Sequence, residues 1–187
     1  MLHSAVSAEQ AIADTQVWLT RAVIGLNLCP FAKAVHTKQQ VRYVVSDAET
    51  PAGVLDQLIS ELKILVLADP ASIDTTLLIA TVCLGDFPDF NDFLGQADRA
   101  LEDLQLDGTV QIASFHPYYQ FAGTAADDVT NCTNRSPYPT LHLLREASID
   151  RAVLAFPQPE TIFQANMHTL RSLGTDGWQA LDVGPHP

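Results

Sequence analysis

The run from Thr75 to Cys83, TTLLIATVC, constrains the fold more than any other stretch, because its apolar residues do not alternate with polar ones. A strand of this kind is covered on both faces, which is the environment of a central strand with helices on either side. The neighbouring segments supply such partners. Val41 to Ser46 (VRYVVS) and Val110 to Phe115 are rich in β-branched and aromatic residues and read as strands. Between them, Val54, Leu55, Leu58, Ile59, Leu62 and Leu65 fall at helical spacing behind Thr50-Pro51, an N-cap followed by proline in the first turn. Phe90, Phe93, Leu94, Ala97, Ala100, Leu101 and Leu104 form another such stripe, stopped near Asp107-Gly108.

Strand, helix, strand, helix, strand calls for parallel neighbours. The expected fold is α/β: a single domain over residues 1–187 with a small, mostly parallel sheet of three to four strands, helices packed on it, and a long functional loop after the third strand. The core should run from about residue 7 to residue 174. A first helix is expected behind Ser7 as N-cap, with Gln10 as capping-box partner and Ile12, Leu19, Ala22, Val23 and Leu26 on one face. Pro30 should end it, leaving Cys29 at or just past its C-terminus. Leu141 to Leu144 reads as a fourth strand, although a helix begun at Pro139 is the alternative. Ser148 would cap a short helix through Phe156, a last helix would run from about Glu160 to Leu173, and the tail 175–187 should be mobile.

Forty-seven per cent of the 187 residues are hydrophobic, enough to bury a core without staples. Ten Lys and Arg against 22 Asp and Glu give a net charge of −12, and no basic run exists to follow a phosphate backbone. Nucleic acid and anionic membranes are therefore excluded as expected partners, and a small-molecule ligand is favoured. The chain shows no secretory signal and no apolar stretch long enough for a bilayer, so the expected compartment is the cytoplasm. Cys29, Cys83 and Cys132 have no CxxC spacing and should be reduced thiols there.

In open α/β sheets, ligands bind outside the carboxyl ends of the strands. That rule puts Ser46-Asp47, Gly85-Asp86 and His116 on one edge. It also draws attention to Ser114 to Glu146, SFHPYYQFAGTAADDVTNCTNRSPYPTLHLLRE, a polar and aromatic segment of the length that usually binds something or carries catalysis.

Within this segment several chemistries stay open. Cys29 and His116 are a nucleophile and base of the kind that meet across a fold, with Asp128 or Asn134 orienting the imidazole. A helix C-terminus would raise the thiol pKa, however, and a cysteine among apolar neighbours is commonly filler. His116, Asp127, His142 and Glu146 have donors suited to a divalent metal, without any stereotyped ligand pattern. Asp127-Asp128 is equally well an N-cap and turn. Arg135, Ser136 and Tyr138 lie in NRSPYP, whose prolines hold an extended path, and with Asn131 and Arg145 they could clamp an anionic ligand. A structural lid would need the same prolines, and each arginine could instead close an ion pair. No Gly-rich or Walker spacing supports a nucleotide cofactor, and haem through Cys29-Pro30 has weaker support still.

The phrases WLTRAVIGLNLCPFAK, FHPYYQFAG, DDVTN and NRSPYPTLHLLREASI resemble the uncharacterised family called domain of unknown function 1415, over nearly the whole chain. Cys29, His116, Asn131, Asn134, Arg135, Ser136, Tyr138, His142 and Arg145 stand at that family's motif positions. The resemblance implies a cytosolic protein of about this length and brings no activity, cofactor or catalytic assignment.

The expectation is an enzyme, a hydrolase or group-transfer catalyst, acting on a small polar or anionic molecule in a pocket formed by residues 116–146. The alternatives are a non-catalytic small-molecule sensor or binding module and a protein-interaction module.

Overall fold

Strand β2 (Thr75–Ala80) is buried at every position, as its unbroken apolar sequence requires, and lies between β1 (Val41–Ser46) and β4 (Thr140–Arg145). The computed structural model describes residues 6–155 and 161–185. Its four-stranded sheet has the order β1-β2-β4-β3, with β3 spanning Val110–Phe115. β1 pairs parallel with β2, whereas β4 is antiparallel to both β2 and β3. β1, β2 and β3 therefore run the same way, and β4 is inserted between two of them. The domain is α/β, with one mixed sheet and helices packed on it.

Two long helices cover one face. In α3 (Pro51–Leu67), Thr50 caps the N-terminus by accepting from Gly53 N–H at 3.2 Å. In α4 (Phe87–Asp103), Asp86 does the same for Asp89 N–H at 3.1 Å. Leu58, Leu62, Leu65, Phe90 and Phe93 pack with Leu78 and Leu143 as the main core, all of them essentially inaccessible. Each such side chain contributes about 1.5–3 kcal/mol relative to leaving it exposed. Glu61 lies in the same buried stripe of α3 and is answered by Arg42 on β1 through a forked pair at 2.8 and 3.1 Å.

The opposite face receives α1 (Ala8–Trp18), capped by Ser7, whose Oγ accepts from Gln10 N–H at 3.1 Å. The Gln10 side chain turns to Asp14 at 2.8 Å, so the cap is one-sided. The helix continues as a π-helical turn, Leu19–Ile24. Gly25 closes that turn by donating to Thr20 O at 3.0 Å, and an added Cβ would stand 2.2 Å from Arg21 O. A wider turn of this kind shifts the helical face by one residue and is not encoded in any apolar period. Trp18, Leu19, Ala22 and Val23 pack there against Tyr43 and Phe115.

Helix α5 (Glu146–Ala155) follows β4 without a connecting loop, four strand residues having been read correctly and the helix start three residues late. Ser148 does not cap it; its hydroxyl donates to Asp74 at 2.6 Å. The boundaries expected at Phe156 and Glu160 lie outside the described residues. α6 (Ile162–Ala180) extends well beyond Leu173, interrupted only at Gly174, whose φ of 70° and ψ of 174° suit glycine alone. The tail expected to be mobile returns to the core, since Trp178, Leu181 and Val183 pack on the Trp18 cluster.

Candidate functional site

The shared direction of β1–β3 brings Ser46, Ala80 and Phe115 to one edge of the sheet, together with the start of β4. The segment 116–139 crosses that edge, as the topology argument expected. Many of its polar side chains, however, are spent on the segment itself or on tying it to its neighbours. His116 is fully buried, its ring 5.3 Å from that of Phe87 and 5.0 Å from that of Phe90. Nδ1 accepts from Tyr118 N–H at 3.0 Å, so Nε2 carries the proton and donates to Leu84 O at 3.1 Å. Burial pushes its pKa below the ordinary value, so the ring is neutral with both nitrogens engaged. The general-base role expected of His116 has no free nitrogen to act through.

The other expected residues follow the same logic. Asp128 caps the 3-10 helix Val129–Asn134, accepting from Thr130 N–H at 2.9 Å and its hydroxyl at 2.7 Å, and these bonds hold its carboxyl below the ordinary range. Asn131 is wholly buried: its Oδ1 accepts from Phe121 N–H and Thr124 Oγ1, and its Nδ2 donates to Ala125 O. Asn134 donates to Ser114 O at 3.0 Å, and Ser136 to Tyr138 O at 2.6 Å. Arg135 braces the loop through Tyr119 O at 3.2 Å and Ala126 O at 2.6 Å. Tyr138 donates to Asp14 Oδ2 at 2.6 Å in the interior. Where the loop is buried, its amides and carbonyls need partners, and these side chains supply several of them.

The metal constellation is not assembled. Asp127 is exposed in the loop, Glu146 begins α5 and accepts from Gln111 at 3.1 Å, and His116 is caged by aromatic rings. Among the described residues no three His, Cys, Asp or Glu side chains converge.

A different place remains open. Beyond the reach of α1, the second sheet face forms the floor of a cavity of about 780 Å³, with α2 (Ala32–Thr37) and α5 as walls. Its volume is that of a small-molecule site. Leu77, Ala113 and His142 lie side by side on the floor, as their cross-strand register dictates. Trp18, Val23 and Phe115 close the far end. The cavity lies toward the amino ends of β1–β3, not outside their carboxyl ends. From the expected set it contains Cys29, His142 and Arg145, and leaves out His116, Asp128, Asn131, Asn134, Arg135, Ser136 and Tyr138.

His142 is the chemically distinctive group there. Its Nε2 is 2.6 Å from Thr75 Oγ1, which is 2.7 Å from Leu143 O. A carbonyl only accepts and a hydroxyl has one proton, so both contacts are made only if Thr75 donates to Leu143 and Nε2–H donates to Thr75. Nδ1 is then the basic nitrogen. Burial lowers the ring's pKa to about 4, so it is neutral near pH 7.

Cys29 precedes α2 instead of merely ending α1. Its pKa is raised by burial, against hydrogen bonds from the Phe31 and Ala32 amides that favour the thiolate. The net result is a thiol that stays protonated at neutral pH. Arg145 donates to Leu65 O, to Ala68 O at 2.8 Å and to Ile73 O at 3.1 Å, capping the carboxyl end of α3. Cys132 is interior filler with Leu28 and Leu170, while Cys83 packs on the main core. Sequence reasoning missed Thr75, Lys38 and Arg151 as cavity residues; a hydroxyl opening an otherwise apolar buried strand was the available signal for Thr75.

These features define an α/β protein with a cavity of small-molecule size on one face of a mixed sheet. Residues 10–180 match the model of the family described as Protein of unknown function (DUF1415), and the chain belongs to that family. Neither the curated proteins nor the solved structures contain a match.

Proposed function

We propose that the protein acts on a small molecule held in this cavity, as a hydrolase or group-transfer enzyme in which His142 handles the proton. The carrying observation is the neutral imidazole on the cavity floor, oriented by Thr75 so that Nδ1 keeps its lone pair. In hydrolysis, Nδ1 would take a proton from water as its oxygen bonds the acyl carbon, and return it to the leaving group as that bond breaks. A base with a pKa near 4 is weak but wholly unprotonated at pH 7. The protonated Cys29 thiol makes His142 the better-supported reacting group, with Cys29 a wall residue.

The second reading is a non-catalytic sensor or binding module, favoured by the mainly apolar lining and by the absence of a carboxylate among the described partners of His142. The interaction-module reading required a protruding loop without a concave site, and the self-satisfied loop beside a cavity gives it no support. In either reading the partner is a small molecule, which the cavity volume of about 780 Å³ supports; no described helix is long and apolar enough to cross a bilayer. Three unpaired thiols support a reducing, cytoplasmic setting.

Release of p-nitrophenol from p-nitrophenyl acetate, butyrate and octanoate tests the catalytic reading. Turnover that falls at least 100-fold in His142→Gln and survives in Cys29→Ser is the expected result. Turnover untouched by His142→Gln overturns the assignment, and no turnover at all returns the cavity to the binding reading.

A further inference from the structure

The cavity is polarised along its length, and its charge runs against that of the whole chain. Three of the ten Lys and Arg line it, Lys38, Arg145 and Arg151, against one of the 22 Asp and Glu, Asp74. All four stand at the end where β1–β3 begin: Lys38 just ahead of β1, Asp74 just ahead of β2, Arg145 at the close of β4 and Arg151 on α5. Asp74 accepts from the Ser148 hydroxyl at 2.6 Å; Arg151 donates to Ser148 Oγ at 2.9 Å and stands 3.9 Å from Asp74, beyond hydrogen-bond range, so its guanidinium keeps other N–H groups for a ligand. Arg145 meets only carbonyls, so no carboxylate cancels its charge; the negative end of the α3 dipole offsets about half of it. Lys38 has no ion pair among the described residues. The balance at this end is positive, in a chain of net charge −12. The other end, at Trp18, Leu19, Val23 and Phe115, is apolar.

We propose that the ligand is an amphipathic anion, with a carboxylate or similar group at Lys38 and Arg151 and an apolar body lying over Leu77 and Ala113 toward Trp18 and Phe115. This rests on the cavity being the functional site and specifies what enters it. Lys38 and Arg151 are exposed at the mouth, where they attract an anion from solvent, and a compact polar anion would gain nothing from the apolar end. His142 stands between Leu77 and Ala113 in the cross-strand register, so it faces the body of such a ligand and not its charged head.

Two fluorescent probes with one skeleton separate the questions: 1-anilinonaphthalene-8-sulfonate, an anion, and N-phenyl-1-naphthylamine, its neutral counterpart. Titrated into the full chain at moderate salt, the anion should bind at least five-fold more tightly. The Lys38→Gln, Arg151→Gln double variant should erase that preference while leaving the neutral probe's affinity unchanged, which also shows that the variant is folded. Ala113→Trp should abolish both. Equal affinities in the wild-type, or a preference that survives the double variant, overturn the anion assignment and leave the cavity standing. Binding of neither probe overturns the cavity reading itself, and this inference with it.

Discussion

The Tyr138 hydroxyl donates to Asp14 Oδ2 at 2.6 Å, joining α1 to the end of the polar loop across 124 residues of chain. Asp14 is 1% exposed and Tyr138 7%, so the pair is an interior bond between the second sheet face and the loop that crosses its edge. Beside it, Trp18 Nε1 donates to Arg135 O at 2.8 Å. The loop is thus bolted to α1 at two points.

Tyr138→Phe removes one donor from a buried carboxylate and should cost about 2 kcal/mol. Urea unfolding should show the midpoint falling at unchanged slope, with ligand-probe affinity in the cavity intact. A loss of probe binding at unchanged stability would place Tyr138 in the site after all.

Arg145→Met should also cost about 2 kcal/mol, because three backbone carbonyls around the end of α3 lose their donor. Arg145→Lys should recover only part of this, since one ammonium cannot span Leu65, Ala68 and Ile73 as a guanidinium does. Thermal unfolding of the two variants makes the comparison. Full rescue by lysine would contradict the capping role.

His142 gives stability a defined pH dependence. Its folded pKa, about 4, lies below the unfolded value, so between roughly pH 6.5 and 4 the unfolded chain binds a proton that the folded chain does not. Stability is therefore complete above that window and falls as pH drops through it, by at most about 1.4 kcal/mol per unit from this residue. His116, shifted in the same direction, adds to the decline. Denaturation curves from pH 7 to 4.5 should be flatter for His142→Gln than for the wild-type, and parallel curves would sink the assignment.

Tyr43 makes the opposite case. Its hydroxyl is buried on β1 without a hydrogen-bond partner among the described residues, and burial pushes its pKa up to about 12. Tyr43→Phe keeps the ring packing and removes the unpaired group, so it should leave the protein as stable or stabilise it by about 1 kcal/mol. Destabilisation beyond that size in chemical denaturation would show that the hydroxyl has work to do.

Where local chemistry decides the outcome, the sequence could be read. β1 and β3 have the residues expected of them, and the Thr50-Pro51 start of α3 follows from cap chemistry. Even the insertion of β4 was half visible, in the short apolar Leu141–Leu144. The cavity was not visible, for a physical reason. Asn, Asp, Arg and Ser are the residues that hold ligands, and they are also the residues that pair the free amides and carbonyls of an irregular loop; composition cannot separate the two uses. Arg135 and Asn131 look like a clamp until their partners turn out to be backbone. The cavity, by contrast, is lined by ordinary residues such as Ala113 and Leu144, which matter only because the helices on that face leave a gap beside them. That is a property of packing, not of any local pattern.

The insertion of β4 between β2 and β3 also orders events during synthesis. As the chain emerges, β1, α3 and β2 can pair and pack at once, because the parallel neighbours are joined by their own helix. β3 has no such option: its one strand partner is β4, which leaves the ribosome only after the whole polar loop has been made. The loop's internal bonds, from Asn131 to Phe121 and from Arg135 to Tyr119, then shorten the distance β4 must travel to slot between its two neighbours. The segment that looked most like an active site is also the link that carries the chain from β3 back to β4, its place between two strands made earlier.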